Sequence, residues 1–301
     1  MKLYFRLSLL ALSAALAGTS MAIVVTSTSN ANQLLNAGLG KLADGVSISG
    51  VSYIGATSAS GTYKNLNFGP LSSIGRGLIM TTGDAQTAVG PNDQDSAGSD
   101  NGAAGGSFLN YDGVNSIDLF NVATMTVSFK TTQQMNLGFD FAFGSEEYYF
   151  YTNSPYNDSF FAFLDGGTKT LALDKNGQAI TIDNQFLTID NRPSTFDPTN
   201  GFGLPDKPGT GTADGINELQ YDGFTPTLRT SFNVAAGDHT LTFVIGDAGD
   251  TVLDSGVFIS HILGPGNGGE DTDPVPEPSS LLALAGVAPM LIAMRRRPAR
   301  R

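Results

Sequence analysis

Thr124-Met125-Thr126-Val127-Ser128-Phe129 and, after a polar break, Leu137-Gly138-Phe139-Asp140-Phe141-Ala142-Phe143 decide the fold class of this chain. In both segments a large apolar side chain falls on every second residue. Successive side chains of a β-strand point to opposite faces, so a period of two marks strands with one buried face, whereas an amphipathic helix needs a period near 3.6. Met125, Val127 and Phe129 share one face; Thr124, Thr126 and Ser128 share the other.

The same reading extends in both directions. Phe160 to Leu164, Leu171 to Leu173, Phe186 to Ile189, Leu228 to Val234 and Leu241 to Ile245 continue the pattern at short intervals. Val257 to Leu263 supplies a last strand, with Phe258, Ser260 and Ile262 opposing Val257, Ile259 and His261. Upstream, Gly77 to Met80 reads as a short strand, and Val46, Ile48, Val51 and Tyr53 read as another with a bulge at Gly50. The spacing of Leu34, Leu35 and Leu39 predicts one short helix over Ala31 to Leu39, capped by Asn30 or Asn32. Many short strands between Gly- and Asp-rich turns predict an all-β chain, an antiparallel β-sandwich or jelly-roll-like domain. Two long loops interrupt it, Gly83 to Gly106 and Asn191 to Gly215.

Both ends read differently from this body. Lys2 and Arg6, the apolar stretch Leu7 to Ala17 and the small residues up to Ala22 have the order of a secretory signal peptide, a helix removed by signal peptidase after Ala22. The expected organisation is a signal peptide over 1–22, a β domain over 23–264, a Gly-rich and then acidic linker over 265–274, and a tail over 275–301. The tail holds Pro276-Glu277-Pro278, the apolar run Leu281 to Met294 and an arginine cluster that begins Arg295-Arg296-Arg297. As a helix that run would be about 21 Å long, short of the ~30 Å hydrocarbon core of a bilayer. It is therefore expected to be a transient membrane tether, its arginines on the cytoplasmic side and the body outside.

Between leader and tail stand nine basic and 27 acidic residues, a net −18, more acidic than the −12 of the whole chain. Such a surface argues against nucleic acid, whose phosphates need a basic face, and favours solubility or bound cations. With no cysteine there is no disulfide framework or thiolate chemistry, and His239 and His261 are the only histidines. Neither sits near a nucleophile elbow, and no glycine-rich stretch is followed by the Lys-Ser/Thr of a phosphate loop.

Two acidic groups stand out. Glu146, Glu147, Asn157 and Asp158 surround a turn carrying Tyr148, Tyr149, Tyr151 and Tyr156, and Asp247, Asp250 and Asp254 follow the strand Leu241 to Ile245. Calcium takes six to eight oxygen ligands, often from neighbouring loops. If the preceding strands are adjacent, Glu146, Glu147, Asn157, Asp158, Asp247 and Asp250 form one Ca²⁺ site; the alternative is that these residues cap turns in water. Asn92 to Asp100 resembles the start of an EF-hand but has Ala97 where an oxygen ligand is needed. Adjacent glutamates on an extended strand point to opposite faces, so Glu146 and Glu147 do not make an acid-base pair with each other for glycan hydrolysis, which leaves Asp158 or Asp247 as the partner of either.

The tail residues Val275-Pro276-Glu277-Pro278, with the apolar run and the arginines, resemble the PEP-CTERM sorting signal of Gram-negative bacteria that make exopolysaccharide. That resemblance implies recognition and cleavage by an exosortase. The body resembles the choice-of-anchor L domain in Val89-Gly90-Pro91-Asn92, Phe143-Gly144-Ser145-Glu146-Glu147-Tyr148, Tyr156-Asn157-Asp158 and Gly246 to Ser255. It implies a surface role without naming an activity. The chain is accordingly expected to be an exported, non-enzymatic adhesive or structural module whose partners are exopolysaccharide, other surface proteins or itself. The alternatives are a secreted carbohydrate-active hydrolase and a self-associating matrix component.

Overall fold

The computed structural model describes residues 22–67, 73–94, 96–109, 115–184, 189–192 and 219–266. Both expected terminal helices lie outside them, as do Pro276, Glu277, Pro278, Arg295, Arg296 and Arg297. Among the described residues no helix is long and apolar enough to cross a membrane.

Two antiparallel sheets face each other. The larger is ordered β1 (Val24–Ser27), β3 (Ser60–Asn67), β4 (Ser73–Thr81), β14 (Ser255–Pro265), β7 (Met135–Ser145), β11 (Gly223–Phe224), β10 (Ile189–Asp190), and β12 (Leu228–Val234) also pairs with β7. The smaller runs β2 (Val46–Ile54), β6 (Ser116–Thr131), β13 (Gly237–Ala248), β8 (Ser159–Leu164), β9 (Ile180–Thr181), with β5 (Gly106–Leu109) on β6. Met125, Val127 and Phe129 of β6 and Phe139, Phe141 and Phe143 of β7 are fully buried, so the period of two finds the inner faces of both sheets. Phe139 meets Phe243 of β13 edge to face at 5.0 Å, and Phe141 meets Phe160 of β8 at 5.4 Å. These aromatic pairs close the sandwich core.

The short helix α1 (Ala31–Gly38) closes over this core with Leu34 and Leu35. Asn30 is its N-cap, accepting from the Gln33 N–H at 3.1 Å, which satisfies one of the first-turn donors. The strand β2 shifts register between Ile48 and Gly50, where the bulge was expected.

Three expectations are corrected. Leu171 to Leu173 is not a strand but a loop with a single bridge from Leu173 to Ala179. Phe186 to Thr188 lies outside the described residues, and only Ile189 and Asp190 pair there. The alternation predicted for Val257 to Leu263 breaks after Ser260: His261 and Leu263 take positive φ, the register with β7 shifts, and Ile262 and Leu263 are both buried in the main core. Four residues of β14 span two of β7 there, so the two extra residues bulge and put Ile262 and Leu263 together in the core, and Pro265 beyond them stands opposite Leu137, on the face of Val257 and Ile259.

Nor are the loops loose coverings. Ala85, Ala88, Leu219, Tyr221 and Phe224 pack on Ala142 and Phe258, burying the outer face of the larger sheet where β7 ends. Asn92 Nδ2 donates to Asp222 Oδ1 at 2.9 Å, Gln220 Nε2 donates to Asn92 Oδ1 at 3.1 Å, and Asn191 Nδ2 donates to the Leu219 carbonyl at 2.8 Å. These buried bonds lock the first long loop to both feet of the second, so that their polar atoms are not left without partners in the interior.

Candidate functional site

Antiparallel register brings the acidic residues to one pole. Ser255 at the start of β14 pairs with Ser145 at the end of β7, and in the other sheet Gly246 of β13 pairs with Ser159 at the start of β8. Asp254, Glu146, Asp158 and Asp247 therefore stand where four strands end. The strands before the two acidic groups, β7 and β13, are not neighbours in one sheet. They belong to facing sheets, and the groups meet across the end of the sandwich.

Asp158 joins the two halves. Its Oδ1 accepts from the Ala248 N–H at 2.8 Å, within its own sheet, while its Oδ2 accepts from the Ser255 hydroxyl, on the opposing sheet, at 2.7 Å. Ser255 Oγ also lies 2.9 Å from Ser145 Oγ. Glu147 and Asp158 share a side-chain hydrogen bond, as do Asp158 and Asp247, so three carboxyls form a chain. Asp247 Oδ2 accepts from Asn121 Nδ2 at 3.0 Å, and Thr82 bonds the same carboxyl.

Each of these acids, with Glu146, is at most 2 % exposed. Removing a carboxylate from water disfavours its charge, and a neighbouring anion adds to the effect. Burial, reinforced by the charges of Asp247 and Asp250, pushes Glu147 up to about 9. Burial and the charge of Asp158 push Asp247 up to about 10. Asp158 is driven well above the usual carboxylate range by burial and by Glu147. Asp254, buried beside the first long loop, is raised to about 7 even though the Ser99 N–H donates to its Oδ1 at 2.9 Å. Side chains at Gly83 or Gly98 would collide with the Asp254 carboxylate or with the backbone at Val252, so glycine is required at both for the loop to close over this acid.

The predicted ligands do not all converge. Glu147, Asp158 and Asp247 do. The charge of Glu146, with those of Asp254 and Asp247, acts on the buried Tyr221 hydroxyl, which lies 3.4 Å from Thr81 Oγ1. Asp250 stands at the rim, half-buried, acting on Glu147 by charge while its Oδ1 accepts from the Val252 N–H at 3.1 Å. Asn157 is turned to a different task, its Oδ1 accepting from the Asp183 N–H at 3.1 Å, where it fastens the β7–β8 turn to the loop after β9. In the EF-hand-like segment Asp93 and Asp100 are exposed and Asp95 is outside the described residues.

Sequence reading missed the hydroxyl and amide partners Thr81, Thr82, Ser145, Ser255 and Asn121. Ser145 and Ser255 do flank acids in the stretches singled out above, a signal that was available; Asn121 has none. Both histidines are structural: His239 Nδ1 lies 2.8 Å from Asp165 Oδ2 and His261 Nδ1 lies 2.8 Å from Asp140 Oδ2.

Among the described residues no three acidic or histidine side chains are already drawn up as the ligands of one metal ion. The donor set nevertheless fits a hard cation. Glu147 Oε2 and Asp247 Oδ1 are buried oxygens with no hydrogen-bond partner, and buried carboxyls with spare lone pairs are what Ca²⁺ uses.

The fold and site define a class: an all-β sandwich module with an acid cluster buried at one pole. The chain belongs to the Choice-of-anchor L domain family, whose model matches residues 23–262. Membership makes it a surface-exposed, extracellular type of protein. No curated protein and no solved structure matches it.

Proposed function

We propose that the domain is a non-enzymatic adhesive or structural module, carried outside a Gram-negative cell and stabilised by Ca²⁺ at the Glu147–Asp158–Asp247 cluster. The observation that carries this is Asp158, a buried carboxyl bonded to both sheets and flanked by two carboxyls with unpartnered oxygens. At neutral pH these acids hold protons, since their pKa values are raised to about 9 and 10. A divalent cation would replace the protons and draw in the orphan oxygens, fastening the two sheets where Asp158 bridges them. Asp250 at the rim would assist entry.

Burial also weighs against hydrolysis. A glycosidase must present two carboxyls to a polymer, and Glu146, Glu147, Asp158 and Asp247 are at most 2 % exposed. The route outward follows from the sequence: signal peptidase at Ala22, a transient hold by the apolar run, and exosortase processing at Pro276-Glu277-Pro278. Ala22 is exposed and two residues ahead of β1, a geometry open to such a cut.

The test is to offer the purified domain to exopolysaccharide, cells and itself, with Ca²⁺ or chelator. Retention without turnover is expected. Turnover that vanishes in Glu146→Gln or Asp158→Asn would establish a hydrolase instead, and Ca²⁺-dependent light scattering would identify the partner as a second copy.

A further inference from the structure

At the pole opposite the acid cluster, the last strand is braced as it leaves the domain. Arg229 of β12 donates through Nη2 to the Pro265 carbonyl at 2.6 Å and through Nε to that of Gly266 at 3.5 Å. Its Nη1 donates to Asp140 Oδ1 of β7 at 2.7 Å, and the other oxygen of Asp140 lies 2.8 Å from His261 Nδ1 of β14 itself. The Gly266 N–H donates to the Asn136 carbonyl at 3.1 Å, the Ala43 N–H donates to the Leu263 carbonyl at 3.2 Å, and Leu39 bridges Ile262. One exit segment is thus fastened to β7, β12 and the segment after α1. These contacts fall where the bulge at 261–263 interrupts the ladder between β14 and β7.

β14 lies between β4 and β7, inside its sheet and not at an edge. Its first residue is at the acid pole and its last at the exit. A pull between the exit and the tyrosine turn after β7 would therefore slide β14 lengthwise along β7 and strain their ladder bonds together, not one at a time.

We infer that Arg229, with Asp140, is a force-resisting brace that couples the exit of the domain to its central strands, so that tension reaching Gly266 is borne in shear. The guanidinium suits this task because its planar fork engages a carboxylate and two carbonyls at once, which an ammonium cannot do. The inference rests on the reading that the chain is held from its C-terminal side.

The chain has no cysteine, so Pro155→Cys in the exposed turn gives a unique handle for single-molecule force spectroscopy against a C-terminal tether. At constant force, Arg229→Ala should unfold about tenfold faster than the parent, the scale of one charge-assisted hydrogen bond. Its lifetime with an N-terminal tether at Ala22 should not change. Arg229→Lys, which keeps the pair with Asp140 but cannot span both carbonyls, should shift the C-terminal pull in the same direction and covers the case in which the alanine variant does not fold. Equal acceleration in both pulling geometries, or none in either, would overturn the brace. Neither result touches the anchorage itself, which mass spectrometry of the mature protein tests separately.

Discussion

Asp158 shows how much a single residue can join. It accepts one bond from each sheet, and truncation to alanine, which takes the side-chain acceptor from the buried Ala248 N–H and leaves the Ser255 hydroxyl with Ser145 alone, should cost about 1–3 kcal/mol. Asp158→Asn should cost less in chelator, because the amide approximates the protonated carboxyl. For Glu147 and Asp247 the sign of the pH dependence follows from pKa values raised to about 9 and 10. Their contribution is complete below the unfolded carboxyl pKa and is lost as pH climbs through the folded values, at up to roughly 1.4 kcal/mol per pH unit for each group. Thermal melts in chelator should fall steadily from pH 5 to 9, and Glu147→Gln with Asp247→Asn should flatten that slope. Much of this was legible in the sequence. Glu147, Asp158 and Asp247 announce themselves as oxygen donors flanking strand ends. That Asn157 is spent on the Asp183 backbone, and that Ser255 supplies the link between sheets, depends on which atoms meet in space.

At the scale of elements, β6 and β7 were readable because each has one face in the main core, so alternation in sequence equals alternation in burial. Phe141→Ala should cost about 3–5 kcal/mol in chemical denaturation, since it opens a cavity between facing sheets with no nearby chain free to fill it. Elsewhere the pattern fails for physical reasons. β8 buries Phe160, Phe161 and Ala162 in succession because Phe161 lies in a second cluster on the outer face of the smaller sheet, with Leu119, Val122 and Val244. In β14 a two-residue bulge between Ser260 and Gly264 puts the consecutive residues Ile262 and Leu263 into the core. The long loops looked like polar excursions, yet the first is fixed through Asn92 to Gln220 and Asp222. Asn92→Ala should therefore destabilise the domain by about 1–3 kcal/mol, although its sequence neighbourhood is that of an ordinary turn.

The β domain is a sandwich with two unlike poles, about 35 Å apart along β7 by the rise of an eleven-residue strand. One carries the buried acids beneath the tyrosine turn, and the other carries the braced exit at Gly266. In the function proposed above, the acids exchange protons for Ca²⁺ and thereby tie the sheets together. Isothermal calorimetry of chelator-treated protein at pH 7.5, run beside melting curves, tests it most directly. Binding heat should vary with buffer ionisation enthalpy as protons leave, Ca²⁺ should raise the melting temperature, and Asp158→Asn should lose both. Absence of heat together with an unchanged melting temperature in the parent protein would contradict it, and the cluster would then be a set of permanently protonated acids.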